Sequence, residues 1–501
     1  MDLFSNLALG FATAASLENL FFCLIGVLLG TLIGVLPGIG ATATIAMLLP
    51  ITFQLEPVSS LIMLSGIYYG AQYGGSTTAI LINMPGESSS AVTALDGYQM
   101  ARKGRAGAAL AIAAIGSFFA GTVSTFLVAI FAPPLTAIAL KFGAAEYFSL
   151  MVVGLVSSIA LAHGSIVKAL AMVSLGLLLG LVGTDIYTGA PRFNLGISEY
   201  ADGLNFVAVA VGVFGIAEIL RNLESEKTRT VLMAKVHGLM PTRDDFRQMV
   251  GPVLRGTAIG SILGILPGGG AILAAFASYT VEKKVSKHPE EFGHGAIAGV
   301  AGPESANNAG AQTSFIPLLT LGIPANPVMA LMIGAMIIQG IVPGPNVAIE
   351  QPALFWGIIA SMWIGNLMLV ILNLPLIGLW VKLLTIPYYI LFPIIMAFCS
   401  IGVYSVNSNV YDLYSVAFFG LIGYLLVKLR CEPAPLLLGF VLGPLLEENL
   451  RRAMILSRGD ATTFISRPIS AGLLFVAALV LVVVFLPSVK AKREVVFQDE
   501  E

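Results

Sequence analysis

The chain has 501 residues, of which 57% are hydrophobic and only 11% are charged. A soluble globular chain carries about 25% charged residues, so an ordinary soluble enzyme is excluded and the unit to count is the membrane span of about 20 residues. A net charge of -2 leaves no basic face for nucleic acid.

The N-terminal region carries Asp2 and Glu18 and no Lys or Arg before Arg102. A secretory signal needs a basic region, so none is expected here. Residues 107–131, 357–381 and 470–487 contain no charge, and further apolar runs lie near 60–84, 145–162, 165–183, 203–220, 295–323, 387–405, 411–428 and 433–447. Each is about long enough to cross the hydrocarbon as a helix, and no alternating strands of a barrel are seen. The expected class is an all-α polytopic membrane protein of about 11–12 spans.

Polar islands separate the runs. Residues 87–105 (Arg102, Lys103, Arg105) and 221–255 (including Arg221, Arg243, Arg247 and Arg255) are the most basic. Positive residues prefer the cytoplasm, and four spans between these islands allow both to lie there. Residues 184–202 then fall outside. Arg451 and Arg452 fit this topology poorly. Cys23, Cys399 and Cys431 are far apart and read as buried small hydrophobes.

An internal repeat is the most specific signal. GVLLGTLIGVLPGIGA at 26–41 matches GTAIGSILGILPGGGA at 256–271 at eight positions, all 230 residues apart. Gly74 and Thr77–Thr78 then resemble Gly310 and Thr313–Ser314. Met84–Pro85–Gly86 resembles Ile323–Pro324–Ala325, and Pro134–Leu135 resembles Pro375–Leu376. The chain is expected to form two repeats, 1–220 and 250–501, joined by a cytoplasmic linker at 221–249. The first would hold a re-entrant hairpin (20–51), a discontinuous helix (60–84) and scaffold helices (107–220). The second would hold a hairpin (255–282), a discontinuous helix (295–323) and scaffold helices (353–487). The charge rule makes the repeats antiparallel, and inverted repeats with midplane sites mark secondary transporters.

Two features of each half suit transport. Pro and Gly at the hairpin tips, 37–41 and 267–271, free the backbone and open a new helix N-terminus that can hold a carboxylate. The polar stretches 68–78 and 302–314 interrupt apolar runs, and freed carbonyls and hydroxyls there would be hard ligands for Na⁺. Candidate substrate residues are Gly38, Gly40, Ala41, Thr42, Ser76, Thr77, Thr78, Gly268, Gly269, Gly270, Asn307, Asn308, Gln312, Thr313 and Ser314. Candidate cation residues are Gly74, Gly75, Glu304, Ser305 and Gly310, with Na⁺ or H⁺ as the coupling ion. Glu304 stands out because an intramembrane carboxylate is expensive. The blander readings are helix packing for the Gly ladders and interhelical hydrogen bonding for the polar stretches. Glu87 and Asp96 read as helix caps. No catalytic motif appears, so no enzyme and no cofactor are expected.

The motifs GVLPGIGATATIAMLLP (34–50), YGAQYGGSTTAILINMPGE (69–87), DGYQMARKGRAGAAL (96–110) and GPESANNAGAQTSFIPLLTLGIPAN (302–326) closely resemble the large membrane subunit of the tripartite tricarboxylate transporters, the TctA family. The resemblance implies a secondary carrier of tricarboxylates or other organic acids in the bacterial inner membrane, driven by a cation gradient. It implies two partners, a small four-helix membrane subunit (TctB-like) and a periplasmic solute-binding protein (TctC-like). The family's polar motifs fall on Ser76–Thr78, Asn307–Asn308 and Gln312–Ser314. Glu87–Ser88 departs from the family, where an uncharged pair is more usual. A stand-alone carrier or channel without a binding protein, and a membrane-embedded enzyme, are the alternatives.

Overall fold

The computed structural model describes residues 3–36, 40–162, 165–185, 187–224, 238–266, 270–383 and 388–485. They form helices α1 (Leu3–Ala14), α2 (Leu17–Val35), α3 (Ala41–Thr52), α4 (Pro57–Ile82), α5 (Ala91–Met100), α6 (Ala106–Ala139), α7 (Ala144–Leu161) and α8 (Ile166–Gly180). Then follow α9 (Phe206–Glu224), α10 (Arg243–Leu263), α11 (Gly270–Val285), α12 (Ala298–Thr313), α13 (Phe315–Leu321), α14 (Pro327–Ile338) and α15 (Pro352–Asn373). The last are α16 (Ile377–Leu383), α17 (Tyr388–Asn407), α18 (Val410–Lys428), α19 (Pro433–Leu456) and α20 (Pro468–Phe485). One two-residue strand pair, Gly183–Thr184 with Pro191–Arg192, is the described β-structure. The protein is an all-α polytopic membrane protein. Five segments among the described residues are long and apolar enough to cross a bilayer, namely Leu17–Val35, Ser88–Ala139, Phe206–Glu224, Pro352–Asn373 and Val410–Lys428. Shorter apolar helices accompany them.

Local chemistry sets the helix ends. Ser16 accepts from the Asn19 amide to open α2, and Thr242 with Asp245 closes a capping box at α10. Pro stands in the first turn of α4, α14, α15 and α19, where a missing N–H costs nothing. Left-handed residues, Asn83 and Gly322, stop α4 and α13.

The two Gly ladders are packing faces, and both pack in the same way. A Cβ added at Gly26, Gly30 or Gly34 would come within 2.3–2.4 Å of the carbonyl oxygens of Met63, Ile67 and Ala71. One added at Gly256, Gly260 or Gly264 would come within 2.2–2.4 Å of those of Gly302, Ala306 and Gly310. The order of these contacts makes α2 parallel to α4, and α10 parallel to α12. Only glycine allows backbones this close, which is how small-residue faces associate in lipid.

This packing corrects the register of the repeat. Met63, Ile67 and Ala71 correspond to Gly302, Ala306 and Gly310, a separation of 239 residues that also relates Pro85 to Pro324. Gly310 is thus the partner of Ala71, one helical turn away from Gly74. The two polar helices oppose one another: Ser76 of α4 meets Glu304 of α12, while Tyr68 meets Asn326, beyond the far end of α13.

The polar stretches are not interrupted. Residues 68–78 lie inside the continuous 26-residue α4, and 302–313 lie inside α12, which runs on past Ser314 into α13. The chain leaves helical geometry later, at Asn83–Gly86 and at Gly322–Ala325. Pro85 and Pro324 there remove amide donors. Polarity inside an apolar run was misleading because all these side chains, Ser and Asn included, can stay helical when they face protein. The second hairpin also begins earlier than residue 255, since α10 starts at Arg243.

Arg451 belongs with the 184–202 segment. Helices α8 and α19 run parallel, with Gly176 against Leu436 and Gly180 against Phe440, so their C-terminal ends lie together. There Arg451 pairs with Asp185 at 3.0 Å and Glu447 at 2.7 Å, while Arg192 pairs with Asp185 and with Glu447 at 2.9 Å. Two carboxylates hold a cation that the charge count places on the wrong side.

Candidate functional site

A buried polar cluster lies where α4, α5, α6 and α12 converge. At its centre is Glu304, fully buried on α12. Its two carboxylate oxygens accept from the Ser76 hydroxyl of α4 and the Thr93 hydroxyl of α5. Among the described residues no Lys, Arg or His forms an ion pair with it. A carboxylate held only by hydroxyls has room in its electrostatics for a cation, and an oxygen-only set suits a hard ion.

Neighbours extend the cluster in two directions. Asn308 donates to Ser117 of α6 at 2.7 Å and to the Glu304 carbonyl at 3.1 Å. Tyr73 donates to Asn366 of α15 at 2.7 Å, and Ser89 donates to Gln72 at 2.8 Å. Tyr73, Ser76, Thr77, Ser117 and Asn373 border a cavity of about 10 Å³. That is room for about one water, so nothing larger fits there while these helices stay packed.

Several buried polar atoms here have no partner among the described residues. Both amide atoms of Asn307 are unsatisfied, as are the Ser305 hydroxyl and the Gln312 carbonyl oxygen. Asn307 is fully buried and lies three residues from Glu304, on the same face of α12. A buried unpaired amide costs about 1–3 kcal/mol, so such an atom calls for a partner the described residues do not provide.

The expected site residues separate into groups. Ser76, Thr77, Glu304, Ser305, Asn307, Asn308 and Gln312 are buried in or beside this cluster. Thr78, Thr313 and Ser314 satisfy their hydroxyls on helix carbonyls of Gly75, Ala309 and Ala311. Gly74 packs on Thr31 and Gly34, Gly75 on Glu87, and Gly310 on Ala271. These three glycines are helical contacts and offer no freed carbonyl for a cation. Gly38, Gly268 and Gly269 lie outside the described residues.

The returning helices of the hairpins begin at Gly40–Ala41, followed by Thr42, and at Gly270. The Ala41 amide donates to the carboxylate of Glu87. The Asn326 amide group stands at the other tip, 3.5 Å from a Cβ built on Gly270. Asn326 accepts from the Met329 amide and donates to Tyr68, both at 3.0 Å.

Sequence reasoning missed Thr93, Ser117, Tyr73, Asn366 and the tip position of Glu87. Thr93 precedes Asp96 by three residues, so a helix over 91–100 would have put both on one face. Asp96 is indeed a cap, but of another segment. It is fully buried, and one of its oxygens accepts the amides of Gly293, Gly295 and Ala296 at 2.7–2.9 Å, ahead of α12.

The chain is 69% identical, over all 501 residues of both chains, to an "Uncharacterized 52.8 kDa protein in TAR-I ttuC' 3'region" of Agrobacterium vitis. It is also 69% identical over 242 residues to an "Uncharacterized protein in TAR-II ttuC' 3'region" of the same organism, covering 48% of this chain and all of that one. No solved structure matches. Residues 20–438, which include both Gly ladders, α4, the Glu304 cluster and both hairpin tips, match one family along their length, and the chain belongs to the Tripartite tricarboxylate transporter TctA family.

Proposed function

We propose that this membrane transporter component is the large subunit of a tripartite, cation-driven importer of tricarboxylates or related organic acids. A periplasmic solute-binding protein delivers the substrate, and a small four-helix membrane subunit completes the complex in the bacterial inner membrane. Helices α2–α4 and α10–α12 form inverted repeats, a reading supported by their equivalent packing and by the opposed run of α4 and α12. Glu304, with Ser76 and Thr93, is the coupling site for Na⁺ or H⁺. Asn307 and Gln312 contact the substrate, whose carboxylate reaches a hairpin-tip helix N-terminus.

The observation that carries this reading is Asn307, a fully buried amide with neither atom bonded among the described residues, on the same helix face as a carboxylate that has no ion-pair partner among them. Burial without partners is retained where a ligand supplies them. With few Arg or Lys at this depth, the anion is held by backbone N–H, amides and the bound cation.

The test is uptake of labelled di- and tricarboxylates by proteoliposomes holding this chain and its small subunit, under an imposed Na⁺ or pH gradient. Uptake that needs both gradient and binding protein supports the proposal. Uptake without the binding protein supports a stand-alone carrier, and flux without a gradient supports a channel.

A further inference from the structure

The two hairpin tips are equivalent in position and unequal in charge. Gly40 and Gly270 are separated by the 230 residues of the Gly ladder repeat, and Glu87 and Asn326 by the 239 residues that relate α4 to α12 and Pro85 to Pro324. A Cβ on Gly40 would lie 3.5 Å from a Glu87 carboxylate oxygen, and one on Gly270 would lie 3.5 Å from the Asn326 amide nitrogen. The same geometric place is filled by a carboxylate in one half and by a neutral amide in the other.

The consequences differ. A helix N-terminus carries about half a positive charge and favours an anion. At α3 that anion is already present, because the Ala41 amide donates to Glu87. At α11 the charge is not met by Asn326, whose oxygen is taken by the Met329 amide and whose nitrogen is taken by Tyr68. An independent sign of a ligand on that half is the unsatisfied, fully buried Asn307 amide of α12, the helix whose Gly310 packs on Ala271 at the start of α11.

We infer that Glu87 is a charge-selecting residue. It supplies one carboxylate of its own, so the site accepts a substrate bearing one carboxylate fewer, and a dicarboxylate is preferred over a tricarboxylate. This rests on the proposed transport of organic acids. A purely structural cap would survive exchange of the carboxylate for an amide, because the Gln carbonyl still accepts from Ala41. Charge selection would not survive it.

The experiment compares initial uptake of succinate and citrate by proteoliposomes containing the full complex, for wild type, Glu87→Gln and Glu87→Asp. The wild type is expected to favour succinate. Glu87→Gln is expected to shift the citrate-to-succinate ratio of 1/KM upward by about tenfold, since a fixed charge near a second one is worth about that. Glu87→Asp keeps the charge and keeps the wild-type ratio. Asn326→Asp, which preserves the helix cap, is expected to weaken both acids by about tenfold or more. Uptake with a ratio unchanged in Glu87→Gln overturns this inference alone. Unimpaired uptake in Asn326→Asp overturns it as well, through the second tip. Wild-type complex that takes up neither acid under any gradient overturns the transport reading beneath it.

Discussion

The Ser76 hydroxyl donates to the Glu304 carboxylate, joining α4 to α12 across 228 positions of sequence. Thr93 donates to the other carboxylate oxygen, so three helices meet on one buried charge. A cation gradient can act on such a charge, because a bound Na⁺ or proton would complete it.

Glu304→Gln should therefore lose the response to the gradient. Gradient-driven uptake is expected to fall by about tenfold or more, equivalent to about 1.4 kcal/mol of coupling. Initial rates with and without the imposed gradient check this. A variant that keeps wild-type stimulation would move the coupling ion elsewhere.

The Gly ladders set the distance between parallel helices. A Cβ at Gly264 would lie 2.2 Å from the Thr313 hydroxyl and 2.4 Å from the Gly310 carbonyl oxygen. Gly264→Ala should destabilise the protein by about 1–3 kcal/mol through overpacking. Gly472→Ala, with nothing within 4 Å of the new Cβ, should change little. Thermal unfolding of the purified proteins separates the two.

Arg105, the residue that precedes α6, pairs with Asp245 in the first turn of α10 at 2.5 Å. Burial would raise the Asp245 carboxyl, but the Arg105 guanidinium and Thr242 hold it below the usual carboxylate range. Because the folded value is depressed, its contribution is complete above the unfolded value of about 4 and is lost as pH falls through the folded value. Arg105→Ala should cost about 1 kcal/mol at pH 7, and the difference from wild type should shrink progressively below about pH 4. Melting curves of both proteins across that range test the sign.

Class, repeat and polar cluster were legible in sequence for separate reasons. Composition alone shows a membrane protein, and a Gly ladder repeated with LPG-x-GA has few explanations besides an internal repeat. Ser76, Glu304 and Asn307 were legible because polar side chains are expensive within apolar runs. Their backbone was not, since Ser and Asn permit either a helix or a break, and it is the unbroken run of α4 over Pro57–Ile82 and of α12 over Ala298–Thr313 that shows these stretches stay helical. The departure from helix was carried instead by Pro85 and Pro324. Thr93 and Ser117 were hidden because a lone hydroxyl in an ordinary segment gives no signal until another helix brings Glu304 or Asn308 to it. Arg451 ran against the charge rule because a count of cations does not register pairing with Asp185.

Asn307 offers the most direct test, through paired melting and uptake measurements on Asn307→Leu. Leu has a similar shape and no polar atoms, so relieving two unsatisfied ones should leave the melting temperature unchanged or raise it, by up to about 1–3 kcal/mol of stability. Gradient-driven uptake of organic acids in the complete complex should at the same time fall by about tenfold or more. A protein that is equally or more stable and no longer transports would identify Asn307 as a residue kept for its ligand. Unchanged uptake in a folded Asn307→Leu protein would contradict the account and place the substrate outside the cluster around Glu304.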